Sequence, residues 1–266
     1  MEKCILVPFD FSNEANYALD HAFQLARIPQ YPIHMLFVVD KESKIADWQE
    51  ELQKIADEYA KKYNYPKFIA VVKAGNLFKT IYNYGVESNA YVAVMGTHGL
   101  KTINRAMKVI KGFVKIPFIL VQRPLNYGDY DKICVPIDGN KKSRAKFLWV
   151  KYLNHLFESK VYIVYPEEKD SMERENINRN ILFATSIFAD DGIDFEAKSL
   201  PKENYADNLY DYMAEIQPDI VLFMTDKYKE HITKLKRPRN IELYKKTPIM
   251  CVNPRTDIVK LGGFSY

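Results

Sequence analysis

The chain is poor in the features that would mark a secreted, membrane-spanning or metal-bound protein. It has only three cysteines, Cys4, Cys134 and Cys251. Their number is odd, each sits in an apolar run, and no spacing suits a metal. That excludes a disulfide framework and is expected of free buried thiols in a reducing compartment. No apolar run approaches the roughly 20 residues needed to span a membrane. The opening Met1-Glu2-Lys3-Cys4-Ile5 enters an apolar stretch at once, without a signal-peptide layout. Excess charge of one sign is missing too: 38 basic residues against 34 acidic ones leave +4. So small an imbalance does not argue for nucleic acid or an anionic membrane as partner. The densest basic cluster, Lys234 to Arg239, lacks aromatic interleaving and reads as a solvated face. Catalytic signals are equally scarce. No Ser or Cys nucleophile is placed beside His98 by any motif, and His21, His34, His155 and His231 show no ligand spacing. A cytoplasmic protein that is not an enzyme, with no membrane, nucleic-acid or metal partner, is expected.

What is present is a repeat. The 266 residues suit two domains of roughly 150, and the 47% hydrophobic and 27% charged fractions are ordinary for a globular chain. Cys4-Ile-Leu-Val-Pro8-Phe-Asp10 returns as Ile133-Cys-Val-Pro136-Ile-Asp138, with Pro8 and Pro136 128 positions apart. Tyr91–Met95 is echoed by Ile220–Met224 and Pro117–Val121 by Pro248–Val252, at nearly the same offset. A near-constant offset through three strands argues duplication. Arg123–Gly128, a Pro/Gly/Asn stretch, reads as the linker, which divides the chain into domains 1–125 and 126–266.

In the first copy, short continuous apolar runs (Ile5–Phe9, Ile33–Val39, Phe68–Val72, Tyr91–Met95, Phe118–Val121) alternate with helical patterns. Runs that are apolar throughout are expected of parallel strands covered on both faces. Ser12 is placed to cap a helix carrying Ala15, Ala18, Leu19, Ala22 and Ala26; Ile45, Trp48, Leu52, Ile55 and Tyr59 form a second stripe. The second copy repeats this with strands near Ile133–Ile137, Val161–Tyr165, Ile193–Ala197, Asp219–Met224 and Ile249–Val252. Strand–helix alternation predicts two α/β domains, each a doubly wound five-stranded parallel sheet. In the commonest order for such a unit, strands one and four are neighbours at a switch point, and ligands bind beyond their C-terminal ends. Asp10 ends strand one and Met95-Gly96-Thr97-His98-Gly99 ends strand four. Glycines there let backbone N–H groups approach an anion, and Asp10 can accept hydrogen bonds from an adenine amino group or a ribose hydroxyl. Two plainer readings stay open: Asp10 as part of a helix start, and the glycines as a simple strand-to-helix turn.

Val-Pro-Phe-Asp-Phe-Ser at the N-terminus, Val-Met-Gly-Thr-His-Gly later and Pro-Phe-Ile-Leu-Val at the close of the first copy resemble a universal stress protein domain. The resemblance covers the first half and reaches the second through the repeat, making the chain similar to a tandem two-domain universal stress protein. It implies a Rossmann-like, adenine nucleotide alpha hydrolase-like fold, dimerisation through the last strand, and in many members ATP or AMP as ligand. Carried over, Pro8, Asp10 and Val38 face the base and sugar, and Met95, Gly96 and Gly99 begin the phosphate loop. The second glycine pair of the family's loop is missing: Val109-Ile110 stand at the family spacing, and a shorter alignment puts Ile103-Asn104 there. Asn104 then supplies one donor, with Lys101, Arg105 or Lys108 for charge. This truncation favours a bare nucleoside or AMP over a triphosphate.

The second copy keeps Asp138 but ends its fourth strand in Met224-Thr225-Asp226-Lys227. Without a glycine pair, and with Asp226 near the phosphate position, no nucleotide is expected there. Pro117–Val121 and Pro248–Val252 are apolar edge strands that invite pairing, so self-association through them, as a pseudo-dimer within one chain and between chains, is expected. The function expected is that of a stress-response regulator with at most one adenine-nucleotide site. The alternatives are an interaction scaffold with both sites degenerate and, less favoured, a nucleotide hydrolase.

Overall fold

The computed structural model describes residues 2–97, 107, 110, 116–125, 130–228, 234 and 237–253. They form two compact units, Met1–Leu125 and Asn126–Tyr266. In the first unit β1 (Cys4–Pro8), α1 (Asn13–Arg27), β2 (Ile33–Val39), α2 (Ile45–Tyr63), β3 (Phe68–Ala74), α3 (Leu77–Glu87), β4 (Ala90–Gly96) and β5 (Phe118–Val121) follow in turn. The strands are parallel and run β3-β2-β1-β4-β5 across the unit. The strand order read from the alternation therefore holds, and β1 lies beside β4.

The buried face of α1 is made of Ala15, Ala18, Leu19, Ala22, Leu25 and Ala26, recurring at three- and four-residue steps. Small side chains let the helix axis approach the sheet, and α1 packs on β1 and β4. Ile5, Leu6, Val7, Val92, Ala93 and Val94 are fully buried beneath it. Ser12 starts the helix: its side chain accepts from the Ala15 N–H at 3.1 Å, satisfying one of the donors that a helix start leaves open.

The second unit repeats the plan with β6 (Lys132–Pro136), α4 (Ala145–Phe157), β7 (Lys160–Pro166), α5 (Ser171–Ala189), β8 (Phe195–Leu200), α6 (Tyr205–Ile216), β9 (Ile220–Met224), α7 (Pro238–Lys246) and β10 (Ile249–Val252). Its strands are again parallel, in the order β10-β9-β6-β7-β8. One strand is displaced from its expected place at Ile193–Ala197. Gly192, at φ 65°, and Ile193 close the end of α5, the Ile193 N–H bonding to the Phe188 carbonyl at 3.0 Å. That is a left-handed helix stop with an apolar residue folded back on it, so β8 begins only at Phe195. The three cysteines are free and buried, as their surroundings in the sequence imply. No helix among the described residues is long and apolar enough to cross a membrane.

Gly96 shows how close α1 lies to β4. A Cβ there would stand 2.3 Å from the Glu14 carbonyl carbon and 2.6 Å from the Ala15 nitrogen. These are backbone atoms, which cannot rotate away. Gly96→Ala is expected to destabilise the protein by about 3 kcal/mol, the upper range for overpacking a tight site, as read from a urea unfolding midpoint; an unchanged midpoint would show that α1 is free to move off the sheet.

Candidate functional site

In the first unit Leu6 lies opposite Ala93, so Pro8 and Asp10 leave β1 at the end where Met95 and Gly96 leave β4. Val38, half-buried near the end of β2, lies on the strand next to β1. The structure thus brings Pro8, Asp10, Val38, Met95 and Gly96 together. Gly99 and Asn104 lie outside the described residues, as do His98, Lys101, Arg105, Lys108 and the tail from Thr256 to Tyr266.

Asp10 is exposed and is tied to the start of α1. Its Oδ1 accepts from the Ser12 hydroxyl at 2.5 Å and from the Ser12 N–H at 3.2 Å. The cap reading of Asp10 is therefore realised through Ser12, the residue that holds the helix. Gly96 likewise has a packing duty, since the space over its Cα is filled by the Glu14–Ala15 backbone. One residue further on, the Thr97 hydroxyl is buried with no hydrogen-bond partner among the described residues.

Three rings that the sequence does not signal as a group come together just before α1. Phe11, Phe37 and Trp48 meet in a cluster with ring centroids 4.9–5.0 Å apart. Phe11 has φ 61°, a left-handed conformation that costs a bulky residue energy and occurs where the surroundings over-determine it. Phe11 and Phe37 are half-buried and Trp48 is 36% exposed. Partly open rings beside Asp10 suit a flat heterocycle. Packing against α1 accounts for the glycine at position 96 without a ligand. Trp48 reads from its spacing as part of the α2 core stripe; that Phe11 and Phe37 reach it depends on the β1–β2 pairing.

The second unit differs. A cavity of about 550 Å3 opens beyond the C-terminal ends of its strands, within the ordinary size range for small-molecule sites. Asp138, at the position matching Asp10, lines it, and its Oδ1 accepts from the Ser143 hydroxyl at 2.6 Å and the Asn140 N–H at 3.1 Å. Four lysines, Lys146, Lys202, Lys227 and Lys234, share the lining. Asp226, expected near a phosphate, is exposed and outside that lining, whereas its neighbour Lys227 is part of it. Lys234 is exposed and borders this cavity. At the offset of 128, Phe11 is matched by Gly139 and Ala18 by Lys146.

Lys146 is 3% exposed, on the inner face of α4. Burial pushes its ammonium down to about 8, against the upward pull of Asp138, Cys134 and Asp226. It donates to the Pro136 carbonyl. Its spacing from Val150 and Leu153 places a lysine on an apolar helical stripe, and that was the legible sign of it. Among the described residues no group of three or more His, Cys, Asp or Glu could hold a metal.

The strand order defines a doubly wound α/β fold in each unit, with β1 beside β4 and β6 beside β9. Residues 1–110 match the model of the universal stress protein family, so the first unit is a domain of that family. No curated protein matches the sequence. Among solved structures, a universal stress protein from Archaeoglobus fulgidus DSM 4304 is similar with a TM-score of 0.68 at 16% identity, over 96% of this chain and 97% of that one. A functionally unknown protein from Pseudomonas aeruginosa PAO1 matches with a TM-score of 0.59 at 12% identity, over 98% and 95% of the two chains. The cytoplasmic domain of a prokaryotic cation chloride cotransporter matches with a TM-score of 0.59 at 9% identity, over 98% and 100%. At such identities the likeness is one of fold.

The burial of Lys146 has a measurable consequence. In the folded protein it keeps its proton only below about pH 8, and in the unfolded chain to about 10.4. Unfolding takes up a proton between those values, so stability rises with pH across that window, and the cost of the buried charge is fully present below it. Lys146→Met is expected to stabilise the protein by up to about 3 kcal/mol at neutral pH, a gain that disappears above the window. Denaturant melts across the pH range measure this.

Proposed function

We propose that this is a stress-response regulator whose first unit takes an adenine nucleoside or AMP, rather than ATP held through its phosphates. The universal stress protein domain of the first unit supports the stress-response part. The observation that carries the ligand part is the Phe11–Phe37–Trp48 cluster beside Asp10, with Phe11 held in a costly conformation. In this reading the base stacks on the rings, Asp10 and Val38 border base and sugar, and Asn104 and Gly99 complete what remains of the phosphate loop. The protein works by binding, not by catalysis, in a cytoplasmic setting.

Thermal unfolding tests it. Ligand at 100 times its dissociation constant stabilises by about 2.7 kcal/mol, or about 5–10 °C for a unit of this size. AMP and adenosine are expected to give that shift, with ATP no better. Asp10→Ala and Phe11→Gly are expected to remove the shift, each read against the variant's own ligand-free midpoint, because Phe11→Gly relieves the left-handed backbone but loses ring contacts to Phe9, Phe37 and Trp48. No shift with any adenine compound would favour the interaction-scaffold reading; steady phosphate release from ATP would favour a hydrolase.

Self-association belongs to the same proposal. Apolar strands at a sheet edge template pairing, and Pro117–Val121 and Pro248–Val252 are such segments, paired within the chain or between chains. A fragment of residues 1–125 is expected to sediment as a dimer, and a clean monomer would count against it.

A further inference from the structure

Lys146 has no part in the function proposed above. We infer that its side-chain amine is a covalent capture site: it takes a small aldehyde with an apolar body into the cavity of the second unit and holds it as an imine. This is reversible binding through a carbon–nitrogen bond, and it involves neither a nucleotide nor a phosphate.

A nucleophilic amine needs a free lone pair and room for its electrophile. Lys146 is buried from bulk water yet lines a cavity of about 550 Å3. It stands on the inner face of α4 at the position where the first unit packs Ala18. The scaffold itself therefore has no need of an amine there. Among the described residues Lys146 forms no ion pair, and its one hydrogen bond goes to the Pro136 carbonyl. An ammonium clamped by a carboxylate keeps its proton, whereas burial without such a clamp favours the neutral amine. Burial pushes Lys146 down to about 8, against the pull of Asp138, Cys134 and Asp226. At neutral pH it then has on the order of a hundredfold more free amine than an exposed lysine. A neutral amine that gives one N–H to Pro136 still has its lone pair, which is how a desolvated lysine becomes a nucleophile.

The wall suits an apolar body. Pro136, Ile137, Pro166, Phe223 and Met224 share the lining with Lys146, and sites that are mostly apolar with a few placed polar groups are the ordinary form of a small-molecule pocket. In the capture step Nζ bonds to the carbonyl carbon. Both of its protons pass to the carbonyl oxygen, which leaves as water while the nitrogen lone pair closes the C=N bond. One amine and one aldehyde give one imine and one water, and nothing is oxidised or reduced.

Reductive trapping on the full chain tests this. Benzaldehyde is the probe, and sodium cyanoborohydride supplies the hydride that turns an imine into a stable benzylamine. Peptide mass mapping is expected to place a benzyl group on Lys146 well above the exposed lysines. The α-amine of the chain is the reference, since it has like basicity but is no part of the cavity. Labelling of Lys146 is expected to saturate with benzaldehyde and to slow severalfold in excess benzyl alcohol, which has the same ring and no carbonyl. Labelling of the α-amine is expected to rise in simple proportion and to ignore the alcohol. Lys146→Met is expected to remove the saturable labelling from the intact mass; because it relieves a buried charge, that loss cannot be assigned to unfolding. Asp10→Ala is expected to leave labelling of Lys146 unchanged, which separates this site from the one proposed in the first unit. No benzyl group on Lys146, labelling there that rises without saturating, indifference to benzyl alcohol, saturable labelling that survives Lys146→Met, or abolition by Asp10→Ala would each overturn the proposal.

Discussion

The close seating of α1 on β1 and β4 is the constraint on which the first unit depends. Alanines on the inner face of the helix bring backbone toward backbone, and at the end of β4 only a residue without a Cβ fits against Glu14 and Ala15. The same contact sets the crevice: it fixes where α1 begins, and so where Ser12 and Asp10 stand. Asp10 and Gly96 are thus structural parts first, and whatever ligand they meet is met on a scaffold they help to hold.

The second unit shows the same scaffold turned to different chemistry. Where α1 presents Ala18, α4 presents Lys146, and the position matching Phe11 is Gly139. Aromatic rings cluster just before α1 in the first unit, and lysines line the cavity of the second. A buried charge is expensive, and the second unit bears that cost beside a cavity of about 550 Å3. Duplication followed by exchange of a few side chains accounts for the divergence without any change in strand order.

Much of this was legible in the residues. Apolar runs between helical stripes marked the parallel strands, and Ser12 marked the start of α1. The misplacement of β8 came from reading Ile193 as strand, where the turn at Gly192 folds it back onto α5. In the second unit the absent glycine pair and Asp226 argued against a nucleotide, and chain order could not show the cavity that Lys227 and the distant Lys234 line.

By itself the sequence determined the repeat, the α/β class and the family of the first unit, because these follow from periodicity, offset and local motif; the order of strands was an expectation from the commonest topology that the structure bears out. Only the tertiary structure decided what the crevices hold. Phe11, Phe37 and Trp48 are separated along the chain, as are Lys146, Lys202 and Lys234, and each group is assembled by strand pairing and crossover connections. Side-chain convergence across such distances leaves no periodic trace in the chain, and the energetic cost of a buried lysine or a left-handed phenylalanine exists only once the surrounding backbone is in place.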